Sequence, residues 1–173
     1  MASSFVVLAL AVLCSTACYQ RALPLDRGIE ATFPKHASAP TLPKKLRVVT
    51  FNVHGQPGSV IANALRTDRE LRDADLILLQ EVHRAERDGN WCSAACELGT
   101  DLGFHATFAP GHDYGRGSEG VAILSRAPIT SAQVIELPFF NVRFNSGRRV
   151  ALAATVELDG VPITVYAVHL DNR

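Results

Sequence analysis

Three apolar runs in this chain end in residues able to do chemistry. Asn52 closes VVTFN, Gln80-Glu81 follow LILL, and His169 follows VYAV. An amide, a carboxylate and an imidazole at such ends suit a hard divalent cation and a phosphate. Glu81 offers oxygen to Mg2+ or Mn2+. Asn52 can position a water or a phosphate oxygen. His169 can donate to a phosphoryl oxygen or stabilise its charge. The histidines at His54, His83, His105 and His112 lack ligand spacing such as HExxH, and no role is assigned to them.

The elements that must place these side chains alternate between strand and helix. Residues 46–53 are rich in β-branched and aromatic side chains and stop at His54-Gly55, as a strand does. Residues 59–74 carry Ile61, Ala64, Leu65 and Leu71 at helical spacing, with Ser59 as the expected N-cap. Residues 75–82 read as a buried strand. Residues 90–102 read as a helix that Gly103 stops. Strands are expected at 105–109, 119–125 and 129–137. Two more, 150–158 and 161–169, flank Asp159-Gly160, a hairpin signal. The stretch from Leu76 to Leu79 is apolar on both faces and needs cover on both sides. Two helices cover one face. A further layer of sheet or helix is expected on the other.

Four stretches occur in a telling order across residues 46–173: LRVVTFNVHG, DLILLQEV, GSEGVAILSR and ITVYAVHLDNR. Together they resemble the endonuclease/exonuclease/phosphatase superfamily, with its deoxyribonuclease I-like fold. The resemblance implies an α/β fold, a four-layer α-β-β-α sandwich, present here as an incomplete N-terminal portion. It also implies divalent-metal-dependent hydrolysis of a phosphodiester or phosphomonoester. Nucleic acids, phospholipids and inositol phosphates are all substrates of such proteins. By the same resemblance Glu81 is the metal carboxylate, Asn52 lies near metal and phosphate, and His169 is catalytic. Glu119 matches a carboxylate that orients that histidine in some relatives. Arg149 matches a basic position that faces phosphate. The later motifs of the family, an Asp-x-Asn loop and a terminal Asp-His pair, are expected downstream of His169. Asp171-Asn172 belongs to the HLDNR turn and does not replace them. The competing expectation is a catalytically inactive fragment or a lipid-anchored binding module.

Composition narrows the setting. The 173 residues hold 17 basic and 17 acidic side chains, 47% hydrophobic and 20% charged residues, which excludes a disordered polar chain and a strongly basic coat protein. Residues 5–14, FVVLALAVLC, are too few to span a bilayer but fit the apolar core of an export signal. Residues 1–17 are therefore read as a signal peptide. Cys18 follows Ala17 as in a bacterial lipobox, so lipidation of Cys18 and simple secretion both stand. The protein is expected outside the cytoplasm: secreted, periplasmic or membrane-anchored. Residues 18–45 hold Pro24, Pro34, Pro40 and Pro43 and read as a tether. Between Arg21 and Arg47 there are six basic and two acidic residues, so the rest of the chain is net acidic. Cys92 and Cys96, four apart, leave disulfide, free thiols and a metal site open.

Overall fold

The computed structural model describes residues 28–32, 45–87, 89–138 and 148–170. The segment expected to be a signal peptide, Cys18 and most of the expected tether lie outside them. Strand β1 (Glu30–Thr32) is followed by β2 (Val48–Asn52), α1 (Gly58–Thr67), α2 (Arg69–Arg72) and β3 (Leu76–Arg87). Then come β4 (Asn90–Ser93), α3 (Ala94–Leu102), β5 (His105–Tyr114) and β6 (Gly117–Ser125). Strands β7 (Ile129–Glu136), β8 (Val150–Leu158) and β9 (Val161–Val168) complete the order.

Two sheets result. The larger runs β1-β5-β6-β3-β2, with β4 also on β3, and the smaller is β7-β8-β9. Strands β2 and β3 are parallel, with Asn52 opposite Gln80. Parallel neighbours need a crossover, and α1 and α2 supply it. Strand β3 lies between β2 and β6, which explains its apolar run.

The core has two slabs. On the helix side Ile61, Leu65 and Leu98 pack against Ile77, Leu79, Phe108 and Leu124. Each such side chain contributes about 1.5–3 kcal/mol on leaving water. Between the sheets Val121 and Ile123 meet Leu152, Ala154 and Ala167. Helix, sheet and sheet make three of the four layers of the sandwich among the described residues. On the far side of the small sheet, Ile135, Tyr166 and Val168 are exposed.

Several elements depart from the sequence reading. Part of the expected tether is folded: β1 pairs with β5, and Glu30 accepts hydrogen bonds from Ser93 N and Oγ at 3.1 and 2.6 Å. A three-residue strand is too short to show a period. Helix 59–74 breaks at Asp68, whose extended backbone ends α1 and whose carboxylate caps α2 through Glu70 N and Leu71 N. The N-cap of α1 is Pro57, not Ser59. The helix expected over 90–102 begins only at Ala94. Ser93 is its N-cap, accepting from Cys96 N at 3.1 Å, and residues before it form β4. Cys92 on the strand and Cys96 on the helix form a disulfide. Their sulfurs lie near the Glu30 carboxylate, but a disulfide with a carboxylate already bound to Ser93 is no thiolate metal site. Gly103 ends α3 at φ 71°, and Asp159-Gly160 turns β8 into β9 at φ 49° and 75°, as expected.

Candidate metal and phosphate site between the sheets

Asn52 stands at the last position of β2, beside the end of the apolar half of β3. There β3 is irregular. Its register against β6 shifts between Leu79 and Val82, and Glu81 takes φ 55°. A bulge of this kind splays a side chain out of the ladder. The left-handed backbone is costly for a residue with a Cβ, so it must be held in place. The β2–α1 turn holds it. Val53 N donates to Gln80 O at 3.0 Å, and Gly55 N donates to Glu81 O at 2.9 Å.

The same turn grips the Glu81 side chain. Asn52 Nδ2 donates to Glu81 Oε1 at 2.8 Å, and Asn52 Oδ1 accepts from His54 N at 3.0 Å. His54 Nδ1 lies 3.1 Å from Glu81 Oε2. From the small sheet, just past β9, His169 Nε2 approaches Glu81 Oε1 at 3.8 Å. Asn52, Glu81 and His169 are therefore brought together from three elements and both sheets. Gln80 turns inward instead, donating to Thr50 Oγ1 at 3.0 Å and Leu78 O at 3.1 Å.

Glu119 lines a narrow cleft with Gly111, His112, Arg148, Arg149 and His169. It shares this cleft with His169, the histidine it is expected to orient, while its carboxylate oxygens face two other imidazoles. Glu119 Oε2 lies 3.0 Å from His83 Nε2, and Oε1 lies 3.4 Å from His112 Nε2. The hydrogen bond from His112 leads in holding the Glu119 carboxyl below its ordinary range. His83 adds to it, and burial opposes both. His83 also stacks on Tyr114, with ring centroids 4.3 Å apart. Arg149 reaches the cleft wall just before β8, next to Arg148, which is buried and pairs with Glu136 at 3.5 Å. Thus His54, His83 and His112, given no role from spacing, all converge on the two carboxylates. Only His105 of the four stays apart, buried in β5, where desolvation lowers its pKa.

Residues 49–170 match the model of the Endonuclease/Exonuclease/phosphatase family. The chain belongs to this family. No curated protein matches in sequence. Among solved structures, an endonuclease/exonuclease/phosphatase family protein from Leptotrichia buccalis C-1013-b is 20% identical with a TM-score of 0.54. The match covers 73% of this chain and 55% of that one. The human Nocturnin catalytic domain is 18% identical at a TM-score of 0.48, covering 74% of this chain and 50% of that one. ANGEL2, a 2′,3′-cyclic phosphatase, is 20% identical at 0.40, covering 64% and 30%. The chain spans about half the length of the first two structures. The first of them establishes the fold as that of the endonuclease/exonuclease/phosphatase family.

Family members are hydrolases of phosphoesters and use divalent metals. The donor set here fits such an ion. Glu81 presents a hard oxygen donor at the rim between the sheets, with its side chain 23% exposed and its direction fixed by Asn52. One carboxylate, with waters and substrate oxygens completing the shell, is how Mg2+ is commonly held.

Proposed function

We propose that the chain carries the metal-binding side of an exported, Mg2+- or Mn2+-dependent phosphoesterase. The observation that carries this reading is Glu81, splayed on its bulge, oriented by Asn52, and faced by His169 from the opposite sheet.

Each residue then has a task. Glu81 holds the divalent ion through its carboxylate. When bound, the ion supplies Lewis-acid neutralisation of a phosphoryl oxygen. Asn52 keeps the Glu81 carboxylate aimed and its own turn closed on His54 N. His169 donates a hydrogen bond to a phosphoryl oxygen as negative charge builds on it. Arg149, on the cleft wall with His169, attracts the phosphate. Glu119 stays anionic and anchors His83 and His112 in the wall of the cleft.

The substrate class is a phosphoester, with nucleic acids and phospholipid or inositol phosphate headgroups sharing the group that this site would grip. The apolar run at residues 5–14 supports export, and Cys18 after Ala17 supports a lipid anchor. The test is Mg2+-dependent hydrolysis of bis(p-nitrophenyl) phosphate by the whole protein. Glu81→Ala should lose at least a hundredfold. Wild-type rates in that variant would remove Glu81 from the mechanism.

A further inference from the structure

His83 has no direct contact with a metal or substrate in the scheme above, yet three independent packing partners fix its ring. Its Nε2 bonds Glu119 Oε2 at 3.0 Å. One ring face stacks on Tyr114. The ring also presses on Gly55. A Cβ built there would lie 2.6 Å from His83 Nε2 and 2.7 Å from Nδ1, closer than such atoms approach. Gly55 has φ 62°, so its glycine is required twice, once by the turn and once by the ring.

That contact matters because of what Gly55 does. Its N–H donates to the carbonyl of Glu81 at 2.9 Å, the bond that closes the turn onto the bulge. Glu81 sits two residues before His83 on the same strand. The ring therefore closes a loop of contacts: Glu81 to Gly55, Gly55 to His83, and His83 back along β3 to Glu81. Glu119 stops the ring from swinging out of it.

We propose that His83 is a positioning residue for the Glu81 carboxylate, wedged between Gly55 and Glu119 so that the turn cannot relax away from the bulge. This rests on the reading of Glu81 as the metal carboxylate. Partners that orient a metal ligand typically contribute about 10–100-fold in metal affinity. The wedge acts through packing and two hydrogen bonds. The expected loss is therefore at the lower end, about tenfold.

The experiment is Mn2+ binding to the full chain, followed by electron paramagnetic resonance at one pH, with thermal melting to confirm a folded protein. His83→Ala should weaken Mn2+ about tenfold. Gly55→Ala should weaken it by a similar factor, because its new methyl displaces the ring. Should His83→Ala fail to fold, Gly55→Ala carries the same test. In the double variant the methyl meets no ring, so Gly55→Ala should weaken Mn2+ less in the His83→Ala background than in the wild type. Mn2+ affinity unchanged in both single variants overturns the proposal, and so do losses that add in the double variant. Glu81→Ala separates the two readings. If wild-type protein binds no Mn2+, or binds it equally well without the Glu81 carboxylate, the metal reading fails and His83 falls with it. If binding depends on Glu81 and is indifferent to His83, only the positioning role fails.

Discussion

Glu119→Gln is the sharpest perturbation of the cleft, because it removes a charge and little volume. In the native protein one carboxylate serves two imidazoles, at 3.0 Å to His83 and 3.4 Å to His112. Hydrogen bonds to a charged group contribute about 1.5–3 kcal/mol, and neutral ones about 0.5–1.5. The change therefore costs about 1 kcal/mol or slightly more per bond. The His112 bond is buried and counts in full, while His83 is about one-third exposed and counts for less. The sum is about 2 kcal/mol at neutral pH, or about 4–8 °C in melting temperature for a chain of this size.

The same charge sets a pH signature. The folded Glu119 carboxyl is held below its ordinary value of 4.5, chiefly by His112. Its contribution is present in full above pH 4.5. As pH falls below that value, the unfolded chain takes up a proton that the folded one resists, and the contribution is lost. Urea unfolding of wild type and Glu119→Gln, stepped from pH 7 towards pH 4 and below, should show a gap that narrows with acid. A gap under about 0.5 kcal/mol at pH 7, or one that stays constant down to the acid limit of folding, would refute this account of the cleft.

Three further outcomes are expected. Reducing the Cys92–Cys96 disulfide, which closes a loop of only five residues, should lower stability by about 2 kcal/mol, read by urea unfolding with and without reductant. Gly120→Ala should cost about 3 kcal/mol, because the new methyl overlaps the Ala109 carbonyl oxygen and sits 2.9 Å from Pro110 Cα, and backbone cannot step aside; unfolding within 0.5 kcal/mol of wild type would contradict it. On the proposed lipid anchor, Cys18→Ser should move the protein from the membrane pellet to the soluble fraction, whereas an unchanged distribution would exclude Cys18 as the anchor.

Much of the frame was legible because it rests on local rules. Asp159-Gly160 turned as its type requires, Gly103 ended a helix, and the apolar runs became strands, with Asn52 ending β2 and His169 just past β9, although β3 runs on through Glu81 to Arg87. What escaped was set by contacts distant in sequence. Glu30 was hidden in a proline-containing stretch, because nothing nearby announces its partner, Ser93, 63 residues later. Cys92 reads as helical from the sequence because Ser93 looks like any interior serine until the chain on either side shows it capping. The two imidazoles beside Glu119, His83 and His112, escaped because family position places a residue on a strand but not its two oxygens.

Two of the missed histidines, His83 and His112, share one cause, and it is geometric. In a regular strand, side chains two apart share a face. Ile77 and Leu79 face the helices, so a regular β3 would send residue 83 to that side as well. The register shift between Leu79 and Val82 breaks the alternation: Val82 joins Leu79 in the helix-side core, and His83 turns to the opposite face. Strand β5 does the same. Phe108 faces the helices, and the shift between Pro110 and His112 places His112 opposite Glu119. Strand β6 needs no such correction, since Glu119, Val121 and Ile123 already alternate towards the small sheet. Two bulges, one on each neighbour of β6, thus bring His83 and His112 to one carboxylate, and the first of them also splays Glu81. A period-two reading carries no signal for an inserted residue, and the strands expected over 75–82 and 105–109 stop before both histidines, whereas β3 and β5 run on through them. The bulges disturb the alternation only where the strands leave the packed core and enter the cleft, which is why the core was readable and the chemistry around Glu119 was not.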